Sequence, residues 1–563
     1  MKKILAGALI VLVGIGVISF KEDDRNFQIA KNLDLFNSIF KELDMFYVDT
    51  IDAEKMIQNG VRGMLALTDP YTEYYPEEEM SSVKELTTGK YGGIGAAIRY
   101  YEAKDRIAVI EPTEGMPAAE AGVKAGDIIL AVGGKEMVRG DMKPQDFSEK
   151  VSQALRGEPG TSFILKVMRP LKNDSTILEF KITRKSIRTN PVPYYGMVRD
   201  SIGYLALSSF TENCSKDFKK AFIELKQKGA KALILDLRDN GGGSLSEAID
   251  IVNFFVPKGQ EIVVTKGKLK QAQGSYKTEN EPIDTKIPLA VLVNGGSASA
   301  SEIVSGSLQD LDRAVIIGTR TYGKGLVQTI RPLPYNGTLK VTTSKYYIPS
   351  GRCIQAIDYA KKNADGSVAR TPDSLTNVFH TAAGREVRDG GGIRPDIEVK
   401  GNRIPNIVFY LMNEDIIFDY ATQYCWDHPT MESVESFKLT DEDYRAFKEL
   451  VKSRDFTYDR QSEKMLKSLK EVAEFEGYME GASEEFKALE KKLNHNLDRD
   501  LDCFSKQIKT YIAQEIVTRY FYQRGAAMER LKDDEDLEKA ISVLKDGKQY
   551  SEILSVKKTP EAK

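Results

Sequence analysis

Apolar residues near the amino terminus recur every three or four positions, a spacing that predicts helices. The first series consists of Ile29, Leu33, Phe36, Ile39, Phe40 and Leu43, and a second series covers Ala53 to Leu67. Asp69-Pro70-Tyr71 then interrupts the helical spacing, because proline disfavours helical backbone in the residue before it. We therefore predict a helical N-terminal domain over residues 21–86.

The apolar period changes between residues 87 and 186. Short runs rich in β-branched residues are separated by glycine turns there, which is typical of strands. These runs are Ile107–Ile110, Ile128–Val132, Phe163–Val167 and Thr176–Ile182. One helical pattern, Pro144–Leu155, lies between them. The segment is predicted to be a small β-barrel-like domain.

Residues 187–403 alternate continuous apolar runs with helical patterns. The runs are Ala232–Leu237, Leu289–Val293 and Ala314–Ile317, and the helical patterns cover Phe218–Lys228, Leu245–Phe254 and Ser301–Leu311. Strands without polar alternation are typically buried on both faces. The alternation of strands with helices predicts an α/β core.

Residues 404–563 are charged and rich in helical patterns. Thr440-Asp441-Glu442-Asp443 is typical of a capping box, with Leu439 and Tyr444 placed as a hydrophobic staple. Irregular apolar spacing argues against a long coiled coil. We predict a helical C-terminal domain that serves for packing, for docking an adaptor, or for self-association. The whole chain is thus predicted to be a multidomain α/β + α protein.

Composition excludes several classes of protein. The 563 residues are 41% hydrophobic and 29% charged, which excludes a disordered, collagen-like or polytopic membrane protein. The formal net charge of −3 gives no general attraction to nucleic acid. The four cysteines form no CxxC pair and the three histidines lack HExxH spacing, so neither a zinc ribbon nor a disulfide scaffold is indicated. We predict no metal and no cofactor.

The amino terminus has the features of an export signal. Met1-Lys2-Lys3 is positively charged, and the uncharged run Ile4–Phe20 follows it. This combination is typical of a secretory signal peptide, and the competing interpretation is an uncleaved membrane anchor. We expect residues 1–20 to direct export, so that the chain works in a bacterial periplasm, free or anchored to the inner membrane.

Two glycine-rich turns follow the two best strand patterns. In Leu237-Arg238-Asp239-Asn240-Gly241-Gly242-Gly243-Ser244, three glycines can expose backbone N–H groups to a ligand at a helix start. In Asn294-Gly295-Gly296-Ser297-Ala298-Ser299-Ala300-Ser301-Glu302, a serine precedes a helix as it does in a nucleophile elbow. Taken alone, each segment is equally explained by a tight turn or a helix-capping serine.

A third segment, Gly318–Gly325, matches the GxxxxGK pattern of a phosphate-binding loop. Gly325 stands where serine or threonine would hold magnesium, and Pro332 and Pro334 follow where the loop's helix would run. A nucleotide site is therefore not predicted. The alternative is a lysine, Lys324, on a glycine-flanked loop behind a buried strand.

A serine nucleophile needs a base, and a lysine can replace the scarce histidines. An ordinary lysine, with a pKa of about 10.4, is protonated at neutral pH, so burial must lower its pKa to about 7 or 8. A neutral partner such as Gln328 would orient the amine without raising its pKa. This argument permits a Ser–Lys dyad, which spacing alone does not establish.

Six short motifs occur in a fixed order over roughly residues 26–400. They are Gly60-Val61-Arg62-Gly63-Met64-Leu65, Asp69-Pro70-Tyr71-Thr72, Leu237-Arg238-Asp239-Asn240-Gly241-Gly242-Gly243, Gly296-Ser297-Ala298-Ser299-Ala300-Ser301-Glu302-Ile303, Gly323-Lys324-Gly325-Leu326-Val327-Gln328 and Gly392-Ile393-Arg394-Pro395-Asp396-Ile397. In this order the motifs resemble those of the C-terminal processing peptidases, also called tail-specific proteases. The resemblance implies an exported bacterial serine peptidase with a PDZ domain and a crotonase-like α/β core.

The resemblance also implies roles for particular residues. The serine followed by Ala-Ser-Glu selects Ser299 as the nucleophile, with Lys324 as the base and Gln328 positioning it. The oxyanion hole would be formed by backbone N–H groups of Ala300 and of either Gly242 or Gly243.

The same resemblance makes residues 87–186 a PDZ domain. Its carboxylate-binding loop would be Tyr91-Gly92-Gly93-Ile94-Gly95, where backbone amides take the C-terminus of a peptide that adds as a strand. Protein or peptide substrates would then be recognised through their C-termini.

Two other functions compete with this interpretation. One is a catalytically inactive PDZ scaffold that only binds peptides. The other is a crotonase-like acyl-CoA enzyme, which the predicted export argues against because coenzyme A is cytoplasmic.

Overall fold

The computed structural model describes residues 2–172, 174–199, 201–359, 361, 363, 367–400, 404–493 and 496–555, and for residues 2–23, 81–83 and 86 it describes the backbone alone. The chain divides into two compact units. The smaller unit comprises Met1–Glu77 and Gln328–Thr342, and the larger unit comprises Glu78–Val327 and Thr343–Lys563.

The smaller unit contains two helices, Lys2–Phe46 and Ala53–Leu65. The helical pattern ends before Asp69-Pro70-Tyr71, as expected, but the strand Glu73–Tyr75 follows within the segment predicted as helical. This strand pairs antiparallel with residues 338–340. The pairing explains why residues 328–342, assigned from the sequence to the 187–403 core, belong to the same compact unit as the N-terminal helices.

The predicted export signal, residues 1–20, has side chains that lie outside the described residues. In the part of the chain that the structure describes, no helix is both long and apolar enough to cross a membrane.

The predicted PDZ region contains an antiparallel sheet. In spatial order its strands are Ala96–Tyr101, Arg106–Pro112, Ile128–Val132, Ser162–Pro170 and Ser175–Thr183, with Lys135–Glu136 paired to Ile128–Val132. The helix Pro144–Leu155 has its predicted bounds, and it buries Phe147, Val151 and Leu155 against this sheet. The strand Lys90–Gly93 pairs separately with Lys185–Arg188.

The predicted α/β core is built on a six-stranded sheet. Its order is Tyr195–Arg199, Ile202–Ala206, Ala232–Asp236, Leu289–Val293, Val315–Gly318 and Ile397–Glu398, antiparallel in the first pair and parallel in the others. The helices that bury one face of this sheet are Cys214–Gln227, Leu245–Asn253 and Ala300–Asp310. The three strands and three helices predicted for this region are thus confirmed.

Smaller pairings surround the core sheet. Glu261–Gly267 pairs with Gly274–Lys277 and with residues 344–347 of the strand Thr338–Tyr347. Val378–His380 pairs with Glu386–Arg388, between the strands Thr338–Tyr347 and Ile397–Glu398. The strand Leu326–Pro332 directly follows the loop that carries Lys324.

The region after residue 404 is helical, as predicted. Its helices are Asn406–Asn413, Ile416–Asp427, Asp441–Ser453, Gln461–Phe475, Met479–Leu493, Leu497–Cys503, Ser505–Arg530, Glu535–Lys545 and Gly547–Ile553. The capping box is confirmed, because Thr440 accepts the Asp443 N–H and the Asp443 carboxylate accepts the Thr440 N–H. Most of these helices share a hydrophobic core of their own.

The helix Glu535–Lys545, here called the tail helix, packs on the core sheet instead. Its Leu537, Ala540, Ile541 and Val543 are buried against the face that the other core helices leave open. Alternate strand side chains such as Tyr204, Ile234 and Leu292 meet them there. The continuous apolar runs of the core strands are therefore explained by burial on both faces.

Candidate active site

The three serines between the strand Leu289–Val293 and the helix Ala300–Asp310 have different environments. Ser297 and Ser301 are completely buried, and their hydroxyls donate to the carbonyl oxygens of Leu237 and Asn240 at 2.8 Å. Ser299 is partly exposed. The backbone of Ser299 has φ 55° and ψ −113°, a strained conformation for a residue with a side chain. Such strain at a helix start is the geometry expected of a nucleophile elbow.

Glu302 connects the serine segment to the lysine loop. Its carboxylate is completely buried, and one oxygen, Oε2, accepts the backbone N–H groups of Ser299 at 2.9 Å and Lys324 at 2.8 Å. The other oxygen accepts the Gly323 N–H at 2.7 Å and the Thr321 hydroxyl at 2.6 Å. Burial raises the pKa of the Glu302 carboxyl, and these four donors oppose that rise. A single oxygen thus holds the backbones of Ser299 and Lys324 side by side.

Tyr346 provides a second connection between the same two residues. Its buried hydroxyl donates to the carbonyl oxygen of Lys324 at 2.7 Å and lies 3.3 Å from that of Ser299. Burial raises the pKa of Tyr346 far above its ordinary value, so the hydroxyl keeps the proton that it donates. The backbones of Ser299 and Lys324 are therefore linked through their N–H groups and through their carbonyl groups.

The first glycine-rich turn lies directly against Ser299. A Cβ atom on Gly242, whose φ is +100°, would lie 2.7 Å from the Ala298 carbonyl oxygen and 2.8 Å from Cβ of Ser299. It would also lie 2.9 Å from the Ala300 nitrogen. Only glycine allows this close approach of the two backbones.

The two candidate oxyanion-hole glycines differ in their hydrogen bonding. The N–H of Gly242 donates to the side-chain oxygen of Asn240 at 2.9 Å, so it is already engaged. In the part of the chain that the structure describes, the N–H groups of Gly243 and Ala300 have no hydrogen-bond acceptor. These two groups could donate to a substrate carbonyl, and a side chain on Gly242 would crowd the Ala300 nitrogen.

Gln328 belongs to the smaller unit. Its side-chain amide donates to the Thr342 hydroxyl at 3.1 Å, and that hydroxyl in turn lies 3.2 Å from the Asp69 carboxylate. Asp69 also accepts the backbone N–H groups of Tyr71 and Thr72. The Asp-Pro-Tyr-Thr motif therefore forms a hydrogen-bonded turn that holds the strand carrying Gln328.

The candidate peptide-binding loop, Tyr91 to Gly95, spans the end of a strand and a tight turn. The ring of Tyr91 lies under the Arg156 guanidinium at 4.8 Å, and Ile94 is buried in the core of the domain. Gly95 has φ +68°, and a Cβ atom on it would lie 2.4 Å from Cβ of Met116.

The strand after this loop, Ala96–Tyr101, is here called the edge strand. It ends the spatial order of its sheet, since only one of its sides pairs with a described strand, Arg106–Pro112. The helix Pro144–Leu155 lies beside it. An edge strand next to a helix is the arrangement to which a peptide adds as a further strand.

The sequence motifs do not identify Glu302 and Tyr346 as site residues. Glu302 was visible there as an acidic residue in the first turn of a helix, which is also what a simple cap looks like. Its shared contact with Lys324 joins segments 22 residues apart and has no signature in local spacing. Among the described residues, no group of three or more His, Cys, Asp or Glu side chains is arranged to hold a metal ion.

Family models match three parts of the chain. "Peptidase family S41" matches residues 201–361, "PDZ domain" matches residues 109–169, and "Probable PDZ-protease, C-terminal helical domain" matches residues 407–544. The first match contains Ser299 and Lys324, and the second lies inside the predicted PDZ segment.

Curated relatives are similar to more than half of the chain. The chain is 40% identical over 331 residues to a carboxy-terminal-processing protease of Bartonella bacilliformis, covering 58% of this chain and 73% of the relative. It is 34% identical over 357 residues to a probable CtpA-like serine protease of Staphylococcus epidermidis, covering 62% and 69%. A solved structure titled photosystem II D1 C-terminal processing protease is 27% identical to this chain, with a TM-score of 0.35. The match covers 66% of this chain and 94% of the chain in that structure. The chain therefore belongs to the carboxy-terminal-processing protease family and is a serine-type peptidase with a PDZ domain.

Proposed function

We propose that the protein is an endopeptidase in which Ser299 and Lys324 form a catalytic dyad. The observation that carries this proposal is the shared Glu302 oxygen, which places the backbones of the two residues next to each other. Of the three serines in the segment, Ser299 alone combines partial exposure with strained backbone at a helix start. Lys324, like Ser299, is only partly buried.

The chemistry follows from these placements. The Ser299 hydroxyl attacks the scissile carbonyl while the neutral Lys324 amine takes its proton, and the N–H groups of Ala300 and Gly243 stabilise the oxyanion. The lysine then gives the proton to the leaving amine, which leaves an acyl-enzyme on Ser299. Water, deprotonated by the same amine, hydrolyses the ester and restores the serine.

We further propose that the PDZ domain binds the C-terminus of the substrate. The loop from Tyr91 to Gly95 would take the carboxylate on backbone amides, and the peptide would pair with the edge strand. Loosely folded proteins with accessible C-termini are then the substrate class.

The dyad is tested by digestion of casein in the presence of a chelator. We expect wild type to cleave, and Ser299→Ala and Lys324→Ala each to lower kcat by at least about a thousandfold while folding normally. A fluorophosphonate should label wild type and not Ser299→Ala. Because labelling does not require casein, it distinguishes loss of the nucleophile from loss of casein binding. Normal turnover by either variant would overturn the dyad.

The PDZ assignment is tested by fluorescence anisotropy with unstructured peptides. A peptide with a free C-terminal carboxylate should bind to Ser299→Ala more tightly than the same peptide with a C-terminal amide. Equal affinities would overturn recognition of the C-terminus. Peptide binding by a wild type that neither cleaves nor takes the fluorophosphonate would instead favour the inactive scaffold.

We also propose that the chain is exported to a bacterial periplasm through residues 1–20. Fractionation of cells expressing the full chain should place it outside the cytoplasm, and a chain that begins at residue 21 should remain inside. Cytoplasmic retention of both would contradict the proposal.

A further inference from the structure

Arg238, at the start of the glycine-rich turn, is bound by carboxylates from two distant parts of the chain. Its guanidinium donates to Asp236 at 2.6 Å through Nη2 and at 3.0 Å through Nε. The same group donates to Asp534 at 2.5 Å and 2.9 Å, and to Asp536 at 3.0 Å. Asp534 caps the tail helix, and Asp536 lies in its first turn. The C-terminal region therefore supplies two of the three carboxylates.

This cluster is mostly removed from solvent. The side chains of Asp534, Asp236 and Arg238 are 7%, 10% and 17% exposed. In such surroundings, removing one partner of an ion pair is costly because it leaves the other charge poorly compensated. The hydroxyl of Tyr204 donates to Asp236 at 2.6 Å, which leaves both Asp236 oxygens engaged. The position of Arg238 thus depends on the tail helix.

Hydrogen bonds connect the residues that follow Arg238 to the segment that contains Ser299. Asp239, next to Arg238, exchanges two bonds with the side chain of Asn294, both at 2.9 Å. The carbonyl oxygen of Asn240 accepts the Ala298 N–H at 3.0 Å and the Ser301 hydroxyl at 2.8 Å. The two donors, on Ala298 and Ser301, lie on either side of Ser299 in the chain. A displacement of Arg238 would therefore move the turn that carries Gly243 relative to Ser299 and Ala300.

We propose that Asp534 and Asp536 are positioning residues for catalysis, holding the oxyanion turn in register with the nucleophile through Arg238. The C-terminal helical region would then be part of the peptidase machinery as well as a packing domain. The inference rests on the proposed dyad, because it assigns the glycine turn to the oxyanion hole. It predicts a loss of transition-state stabilisation without a loss of substrate binding.

The test compares Asp534→Asn, Asp536→Asn and the double variant with wild type on casein and on a short fluorogenic peptide. Asparagine keeps the cap of the tail helix, so the single change removes mainly the negative charge that Asp534 places against Arg238. We expect Asp534→Asn to lower kcat by about tenfold with KM within about twofold, because the lost bond is charge-assisted. The double variant should lose more than either single variant. The rate of fluorophosphonate labelling should fall with kcat, because that reaction also uses the oxyanion hole.

Glu538→Gln is the matched control. Glu538 lies on the same helix and pairs with Arg199, but that pair is about half exposed and does not contact the turn. This variant should keep the kcat of wild type.

The outcomes separate the two proposals. Unchanged kcat and labelling in a folded double variant would overturn the inference and leave the dyad intact. If Asp534→Asn does not fold, Asp536→Asn decides in the same assay, because it leaves the cap in place. A wild type that neither cleaves nor labels would overturn the dyad and this inference with it.

Discussion

At the residue scale, the strained backbone of Ser299 is maintained by contacts that compensate for it. A non-glycine residue in such a region costs about 1–3 kcal/mol. The Ser299 N–H is bonded to Glu302, and the helix that starts at Ala300 is buried along its whole length. These contacts hold the backbone of Ser299 in this conformation at the helix start.

Glu302→Gln should strongly reduce activity. The amide would put an NH₂ group where a carboxylate oxygen now accepts two N–H groups, so at least two buried donors would lose their acceptor. Each such loss costs about 1–3 kcal/mol. We expect a drop in kcat of at least about a hundredfold and a lower melting temperature. Glu281→Gln, an exposed change of the same kind, should match wild type in both measurements.

Gly242→Ala and Gly241→Ala form a matched pair of neighbouring changes. At Gly242 the added methyl would collide with Ala298 and Ser299 and would demand a left-handed backbone, whereas at Gly241 nothing lies within 4 Å. We expect Gly242→Ala to abolish fluorophosphonate labelling and Gly241→Ala to retain it. Equal labelling of the two variants would contradict the close approach of the turn to the nucleophile.

At the scale of elements, the tail helix completes the core sheet. It covers the face opposite the helices that position Ser299, and its apolar residues lie at helical spacing. The sheet would otherwise expose Tyr204, Ile234 and Leu292 to water. The tail helix is therefore expected to contribute to the stability of the peptidase core.

Ile541→Ala should destabilise the peptidase core. The isoleucine is 4% exposed, and truncation of a buried isoleucine costs about 2–5 kcal/mol. Urea unfolding followed by circular dichroism should show the loss, and limited proteolysis should become faster. Ser542→Ala, exposed on the next position of the same helix, should change the unfolding free energy by less than about 0.5 kcal/mol.

At the scale of the whole molecule, the C-terminal region also contacts the PDZ domain. Phe418 packs on Ala108 and Ile128, and the Tyr101 hydroxyl at the end of the edge strand donates to Asp419 at 2.8 Å. Arg99 on the same strand pairs with Asp415. The C-terminal region thus contacts the predicted peptide-binding strand and also Arg238, at the start of the glycine-rich turn.

The burial of the Asp415 carboxyl should make stability depend on pH. Burial raises the pKa of Asp415 from 3.8 to about 6, with Asp419, Glu102 and Glu515 adding to the rise and Arg99 opposing it. Because the folded state binds this proton more tightly than the unfolded state, its contribution is present below about pH 4 and is lost as pH rises through about 6. Between pH 7 and pH 5, wild type should gain about 1 kcal/mol over Asp415→Asn.

The single tryptophan of the chain can follow this transition. Trp426 donates its indole N–H to the Pro170 carbonyl at 3.1 Å, so its fluorescence reports on the contact between the PDZ domain and the C-terminal region. Asp427→Asn is the control, because Asp427 forms an exposed pair with Lys172 at the same boundary. A pH profile of Asp415→Asn parallel to that of wild type would contradict the prediction.

Much of the fold could be predicted from the sequence because its elements have local signatures. The helix Pro144–Leu155, the strand Leu289–Val293 and the capping box at Thr440 agree with the structure, since each depends on spacing within a few residues. The same holds for the order of the motifs, which led to the family. The strand Glu73–Tyr75 was not predicted, because its partner lies more than 260 residues away.

The sequence by itself therefore determined most of the elements, the family and the candidate side chains, because each depends on residues that are close together in the chain. Only the tertiary structure decided that Gly242 makes room beside Ser299, that one Glu302 oxygen serves two segments, and that the tail helix closes the core sheet. It also decided that Arg238 meets Asp534, 296 positions away. The physical reason is that charge pairing and burial depend on which distant surfaces fold together, and local periodicity carries no record of that.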